Sequence, residues 1–571
     1  MPTAFTITVR ETLDLLDGPF AGLAEGVAQG QYAFWLGSGI SRDRVDDLKG
    51  VVERVLTHLR DRIDPGNGAC AYRAALEEAL DLAHLSPADR AQVDVARPID
   101  EWPVRATVLV NLTREYSRLL DIRVAGHAEA DYLLWDVVNV PVTFAPAHAI
   151  PDCEHFCLAI LLLEGVVADI PTANWDGLIE AAVDQLTDAA GTSLRVCVIP
   201  DDFREPPLLG RLLKFHGCAV RAGADAGTYR PLLIARYSQI IGWPHNNDYD
   251  LMRLQLVNLA ATKRTLMIGL SAQDVNIQSM FGEARALMTW TWPCDPPAHI
   301  FAENALGQDQ RTILRVVYRA DYDVNVAAIE SSALFQAYAK PALIGLVLHV
   351  LGKKLCVFAR NVEAPHLSAP ERAALGQGII GLRNKVSVRA EPERLTFIMA
   401  LLRAWTQAMS LFQTGNPAGS VRYKALSGAP AHRIPADANL ATSGVRELAA
   451  ALAVMGLGDH AGNWNVEGTD PVDPRTGALR LVSGPSTTRV FFAANDRAGV
   501  QLEINSLVAP GDTDALVIHS TSPVPKMARS PLAAPGRTGH TGLRNVGMAE
   551  LLREATSSAN LLERFREEAV L

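Results

Sequence analysis

The run Phe34-Trp35-Leu36-Gly37-Ser38-Gly39-Ile40-Ser41 constrains this chain more than any other stretch. An apolar segment ends in Gly-x-Gly, and residues rich in Ser, Arg and Asp follow. That is the pattern of a buried strand, Tyr32–Leu36, running into a tight turn bare of side chains. Glycines there let backbone amides approach a phosphate, and Ser41 is placed to cap a following helix or to bond an anion. An ordinary turn has the same local pattern, so the rest of the chain decides between the two.

Three later stretches bear on that choice. Ile170-Pro171-Thr172-Ala173-Asn174-Trp175-Asp176-Gly177-Leu178-Ile179 passes from an apolar lead-in to a helix through Asn, Asp and Gly. An open α/β sheet places functional side chains at such strand ends, although Asn174 and Asp176 equally suit helix caps. Leu212-Leu213-Lys214-Phe215-His216-Gly217-Cys218 sets a histidine after an apolar strand, where it is either a proton acceptor near neutral pH or a bonded core histidine. Thr265-Leu266-Met267-Ile268-Gly269-Leu270-Ser271-Ala272-Gln273-Asp274 is another buried strand that opens into a Gly-x-Ser loop, with Asp274 either functional or a cap.

With 571 residues, the chain has material for two to four domains. A formal charge of -10 argues against a general polyanion binder. Residues 361–571 carry 21 Lys and Arg against 19 Asp and Glu, so the excess acid lies in the first 360. Met1-Pro2-Thr3-Ala4 has neither a basic flank nor an apolar core, and no secretory signal is read there. The apolar runs Phe156–Leu163 and Ala342–Leu351 are too short to span a bilayer and read as buried helices. Seven scattered cysteines fit a reducing compartment, so the expected location is cytoplasmic, away from membranes.

Hydrophobic periodicity predicts helix over 1–30 and over Leu48–Ile63, then almost continuous helix over 70–170. This is more helix than a simple crossover needs, so a helical insertion or lid (about 65–165) is placed between the first two strands. Cys153 and Cys157 sit four apart around His155, with too few companions for a metal site; a buried apolar face explains them better. Further strands are read at His299–Glu303 and Cys356–Ala359, with Thr312–Val317 closing the unit and helix over Ala333–Leu351. Residues 370–414 are helical, with Phe397, Ile398, Leu401, Leu402 and Trp405 as an apolar stripe. Gly, Pro, Ala and Ser mark 415–440 as a linker. Strands follow at Ala478–Val482, Val490–Ala494, Val500–Ile504 and Ala515–His519, then a charged helix over Met548–Ala569. Between Ala515 and Ala549 there is no acid, while Lys526, Arg529, Arg537 and Arg544 are basic, giving either a phosphate- or partner-binding loop or a solvated one.

Taken in order, the four stretches resemble the SIR2 (sirtuin) superfamily over residues 31–280. Gly37-Ser38-Gly39-Ile40-Ser41 is similar to the family's Gly-Ala-Gly-Ile-Ser loop. Thr172-Ala173-Asn174-Trp175-Asp176-Gly177-Leu178 is similar to Thr-Gln-Asn-Ile-Asp-Gly-Leu. Lys214-Phe215-His216-Gly217 resembles the Leu-His-Gly that carries the catalytic histidine, and Gly269-Leu270-Ser271 with Asp274 resembles a Gly-x-Ser-x-x-Asp variant of bacterial members. The resemblance implies an α/β fold, a Rossmann-like parallel sheet with a large helical insertion in 1–360; it does not cover 361–571, whose short strand patterns suggest a C-terminal α+β region that regulates or docks a partner.

Two departures narrow the activity. Sirtuin deacylases hold a structural zinc on two Cys-x-x-Cys pairs, and no Cys-x-x-Cys occurs here, so no zinc is expected. Val45-Asp46-Asp47-Leu48-Lys49 replaces the family's Gly-Ile-Pro-Asp-Phe-Arg, and helices fill the place where deacylases admit an acyl-lysine peptide. These changes resemble bacterial SIR2-like effectors of antiviral defence, which hydrolyse NAD in abortive infection. The resemblance then implies NAD as substrate, held by Gly37, Ser38, Gly39, Ile40, Ser41, Gly269, Ser271 and Asp274. Asn174 would orient water or ribose, His216 would accept a proton and Asp176 would position the ribose. It also implies control by oligomerisation or by a sensor partner: a short Argonaute, a helicase-like ATPase or a nucleotide-pyrophosphatase-like protein. A zinc-free NAD-dependent deacylase and a NAD- or ADP-ribose-binding sensor are the alternatives.

Overall fold

The strand Tyr32–Leu36 (β1) is buried along its whole length. Tyr32, Phe34 and Leu36 enter one apolar core, and Ala33 and Trp35 enter another on the opposite face. A strand covered on both faces belongs inside a parallel sheet. The computed structural model describes residues 3–146, 150–188, 191–205, 208–288, 290–509, 511–521 and 543–571. In it β1 is joined by β2 (Asp169–Thr172), β3 (Leu194–Cys197), β4 (Gly210–Lys214), β5 (Arg264–Ile268), β6 (His299–Ala302) and β7 (Leu334–Phe335). The seven form an all-parallel sheet in the order β3-β4-β2-β1-β5-β6-β7, the α/β arrangement expected of a Rossmann-like fold. From β1 the chain proceeds to β2 on one side, and from β5 to β6 on the other. The connections therefore diverge between β1 and β5, which opens a crevice at the carboxyl edge.

The helices Val9–Asp17, Ala21–Ala28, Cys153–Leu163, Leu178–Leu186 and Ala339–Arg360 cover the Phe34 face. Leu48–Asp61, Ala71–Leu82, Arg105–Arg114, Asp250–Thr262, Val275–Arg285 and Gln308–Tyr318 cover the Trp35 face. Several of these helices fall between β1 and β2, so the helical segment there is a structural layer of the sheet, its Val52, Val55 and Leu56 sharing one apolar core with Trp35.

A second sheet is built from β8 (Asn465–Glu467), β9 (Leu479–Ser483), β10 (Ser486–Ala493), β11 (Ala515–His519) and β12 (Arg544–Gly547), in the order β12-β11-β10-β9-β8. Strands β10, β11 and β12 run parallel, and β8 and β9 antiparallel. The apolar core of the Phe34 face runs without a break into this region, from Phe34 through Leu343 and Leu448 to Phe492 and Ile518.

Several expectations need correction. Cys356–Ala359 is not a strand; it lies inside the 22-residue helix Ala339–Arg360, which is buried nearly all round and so shows no helical period. Thr312–Val317 falls within the helix Gln308–Tyr318, and Val500–Ile504 within Asp496–Ile504, whose start is capped by Asn495 accepting from Ala498 N at 3.0 Å. The helix read over 1–30 breaks around Gly18, and that over 548–569 breaks at Ser557, which caps its second half. Strands β3, β7, β8 and β12 have no counterpart among the strands read from the sequence, and β7 falls in the stretch read as helix over Ala333–Leu351, where the helix begins only at Ala339. Ala339–Arg360 and Arg394–Thr414 are long and apolar enough to cross a bilayer by length and composition, although the first is mostly buried within the protein. Lys526, Arg529 and Arg537 lie outside the described residues. Arg544 is structural: its guanidinium donates to Ala569 O and Thr488 Oγ1, both at 2.9 Å.

The linker read over 415–440 is anchored by a buried ion pair. Lys354 Nζ meets Glu164 Oε2 at 2.7 Å with both side chains wholly inaccessible, and also donates to Ser427 O at 2.6 Å. Glu164 Oε1 accepts from Tyr423 OH at 2.6 Å and Leu426 N at 2.9 Å, so the segment is a strap laid over the core. Burial lowers the pKa of Lys354 against the opposing pull of Glu164. Lys354→Met strands a buried carboxylate, and urea unfolding should show a loss of about 3–5 kcal/mol. Lys354→Met combined with Glu164→Gln should lose distinctly less. Equal losses in the two variants would mean that the charge pairing is not what holds the strap.

Candidate functional site

The ends of four strands are stitched together at the carboxyl edge. Gly37 N donates to Ile268 O at 3.2 Å and Gly39 N to Gly269 O at 3.1 Å, joining the turns after β1 and β5. Ala173 N donates to Leu36 O, and Phe215 N to Thr172 O, which brings in the turns after β2 and β4. A Cβ on Gly37 would lie 2.4 Å from Gly269 O, and one on Gly39 2.6 Å from Gly269 Cα. Gly269 itself sits at φ +64°. The three glycines are thus required first by one another, because the two turns cross backbone on backbone. The turn holds only a single 3-10 turn, Ser38–Ile40, and the amides of Gly37, Gly39, Ile40 and Ser41 already donate to carbonyls of the chain. Its bare glycine face and the Ser38 side remain for a ligand, while Ile40 turns into the core.

Around this crossing lies a cavity of about 110 Å³ lined by Gly37, Ser38, Ser41, Asn174, Asp176 and His216, with Gly269, Ser271 and Asp274 at its side. Asn174 is buried; its Nδ2 donates to Ser41 Oγ at 3.3 Å, and its buried Oδ1 has no protein partner among the described residues. Ser41 Oγ also lies 3.2 Å from His155 Nε2. Asp152 N donates to His155 Nδ1 at 3.0 Å, so the ring proton is on Nε2 and points at the serine. Burial holds His155 below the usual histidine range, against the pull of Asp176 and Asp152, and keeps it neutral. With His155 and Asn174 both donating to Ser41 Oγ, the hydroxyl proton is left to point away from both.

His216 is buried on the other wall. Its Nε2 lies 3.0 Å from Asn276 Nδ2, and Nδ1 has no protein hydrogen bond among the described residues. Burial lowers its pKa, with Asp274 pulling the other way. Asp176 caps the helix Leu178–Leu186 through Leu178 N at 3.1 Å while lining the cavity. Asp274 occupies the position before the helix Val275–Arg285 but makes no capping bond; its Oδ1 accepts from Tyr116 OH at 2.9 Å. Tyr116, Leu120 and Phe144, all from between β1 and β2, close the cavity's far wall.

A second lobe of about 500 Å³ shares Ser38, Gly269, Ser271 and Gln273 with the first and extends to Arg42, Glu154, Glu303 and Lys340. Burial raises both carboxyls, Glu154 and Glu303, to about 7. The crevice therefore runs across both sides of the glycine crossing.

Of the eleven expected site residues, ten line the two lobes at this edge; Ile40 does not, because its side chain is buried in the core. Four contributors were not read from the sequence: His155 as the partner of Ser41, Asn276 behind His216, Tyr116 on Asp274, and Glu303. Asn276 follows Asp274 by two residues, the one local signal available; Tyr116 is 158 residues from Asp274 and carried none. Cys153 and Cys157 are buried in the core as expected, with burial raising both thiols. Asp152, Cys153 and Glu154 bring three potential ligand atoms within 4.8 Å, and Asp152 is already paired with Arg44 and Lys340.

Because the glycine contact is between backbones, Gly39→Ala has to push the turns after β1 and β5 apart. Overpacking of this kind costs about 1–3 kcal/mol. Thermal unfolding should register that loss even without ligand, and an unchanged melting temperature would refute the crossing as the cause. No protein-family model matches the chain, and no curated protein matches it either.

Proposed function

We propose that the chain is a SIR2-like NAD+ hydrolase, releasing nicotinamide and ADP-ribose. The observation that carries this reading is Asn174, whose buried Oδ1 lacks a protein partner among the described residues and which lines one cavity with Ser41, Asp176 and His216 at the divergence of the sheet. An unpaired buried carbonyl is costly unless a ligand or water completes it. In this reading the nicotinamide riboside end of NAD occupies the inner lobe, the pyrophosphate passes the bare face of Gly37 and Gly39, and the adenosine end takes the outer lobe.

The glycosidic C–N bond breaks with its electron pair going to the pyridinium nitrogen, so nicotinamide leaves neutral. Water adds to the ribose carbon and gives up a proton. Asn174 Oδ1 accepts from that water or from a ribose hydroxyl, and Ser41 offers its free proton to a neighbouring oxygen. With the Asn276 amide turned so that its oxygen takes the Nε2 proton, His216 Nδ1 holds the free lone pair and receives the proton from water. Asp274 stabilises the imidazolium that results, and Tyr116 holds Asp274. Tyr116, Leu120 and Phe144 wall off the inner lobe, which supports water as the acceptor over an acyl-lysine peptide. NAD loss is toxic, so the same reading places the chain as an abortive-infection effector of antiviral defence under a sensor partner or self-assembly.

Asn174→Ala and His216→Ala should each lower NAD cleavage by about 10²–10⁴-fold while circular dichroism stays unchanged. Burial puts the His216 pKa below 6.5, so activity should fall only on the acid side, with its midpoint under about pH 6.5. Chromatography of nicotinamide and ADP-ribose from the protein, alone and co-purified with its operon partners, provides the readout. Nicotinamide release that requires an acyl-lysine peptide would replace hydrolysis with deacylation, and full turnover by the His216 variant would remove its proton-accepting role.

A further inference from the structure

The apolar stripe on the helix Arg394–Thr414 is only partly used by the core. Ile398, Leu402 and Phe412 are buried, while Leu401 and Trp405, packed on the same core, are only half-buried and line a cavity of about 330 Å³. Its walls are almost wholly apolar and come from the helices Ala339–Arg360, Ala369–Ser387, Arg394–Thr414 and Val445–His460, with strands β8 and β9 closing one end. That volume is at the lower end of small-molecule pockets, about 300–1,000 Å³, which suits one hydrocarbon chain and excludes a two-chain lipid.

The charged groups on the lining are few. Arg383 is bound to Asp17, Lys385 to Asp459 at 2.7 Å, and Glu467 to Arg480 at 3.3 Å. Arg389 is exposed on the lining and makes no ion pair or hydrogen bond among the described residues. An apolar cavity with one uncommitted guanidinium complements a long apolar body that ends in a single anion. We infer that this cavity binds a free, single-chain fatty acid, its chain along Leu401 and Trp405 and its carboxylate on Arg389. The site is separate from the catalytic crevice, and the inference does not rest on the NAD reading.

Calorimetric titration of the full chain with decanoate, dodecanoate and tetradecanoate below their micelle concentrations tests it. Saturable one-to-one binding is expected, tightening about fourfold per added methylene. Ala404→Trp fills the cavity and should abolish binding. Arg389→Glu, at an exposed position that leaves folding intact, should weaken dodecanoate about tenfold or more and leave dodecanol unchanged. Absence of saturable binding overturns the proposal. So does dodecanoate binding that ignores Arg389→Glu, or that survives Ala404→Trp in a protein whose circular dichroism is unaltered. Sedimentation with anionic phospholipid vesicles in the absence of monomer binding would overturn it in favour of a membrane surface.

Discussion

The crossing of two backbones at Gly37, Gly39 and Gly269 is the constraint on which the rest of this structure depends. Side chains at those positions would keep the turns after β1 and β5 apart, and the hydrogen bonds from Gly37 N to Ile268 O and from Gly39 N to Gly269 O could not form. These bonds lie at the point where the strand connections diverge, so they set the floor of the crevice. Two lobes then open on either side of one narrow ridge, instead of a single broad cleft. Glycine here first lets the protein approach itself, and its bare face leaves room for a ligand to come close.

Building on that floor takes long-range partners. The hydrogen-bond chain from Asp152 N through His155 to Ser41 and Asn174 ties the turn after β1 to the segment just ahead of β2 and to the turn that follows β2. On the opposite wall Asn276 holds His216, and Tyr116 holds Asp274. Each pair fixes a polar side chain withdrawn from solvent, His216 buried and Asp274 half-buried, where an unsatisfied group is expensive and a satisfied one has a single orientation. The segment between β1 and β2 does double duty. It covers the Trp35 face of the sheet and supplies the far wall of the inner lobe, so any substrate the lobe accepts must fit under Tyr116, Leu120 and Phe144.

The second sheet is joined to the first by a common core. The helix Ala339–Arg360 packs on the N-terminal helices and on Cys153–Leu163, and equally on Ala369–Ser387 and Val445–His460. Lys340, near its start, lines the outer lobe, and Leu348 and Leu351 farther along it line the apolar cavity. One rigid element therefore touches both candidate ligand sites.

Much of the fold and of the site was legible because it is local. A buried strand followed by glycine, as at Phe34–Gly39, reads the same whatever surrounds it, and the strand ends at Asn174, His216 and Ser271 were legible for that reason. Where burial is complete, local pattern fails: Ala339–Arg360 has apolar residues on every side, so the stretch Cys356–Ala359 reads as strand, and 415–440 reads as a linker until Lys354 and Glu164 are seen to clasp it. Residue type and spacing, by themselves, determined an α/β sheet with polar groups gathered at its carboxyl edge, because backbone conformation and side-chain alternation act over a few residues. Only the tertiary structure decided that the glycines meet each other, that Asp274 answers to Tyr116, and that Leu401 and Trp405 face a cavity. Those contacts join residues far apart in sequence, and the free energy of burying them depends on neighbours that no local pattern names.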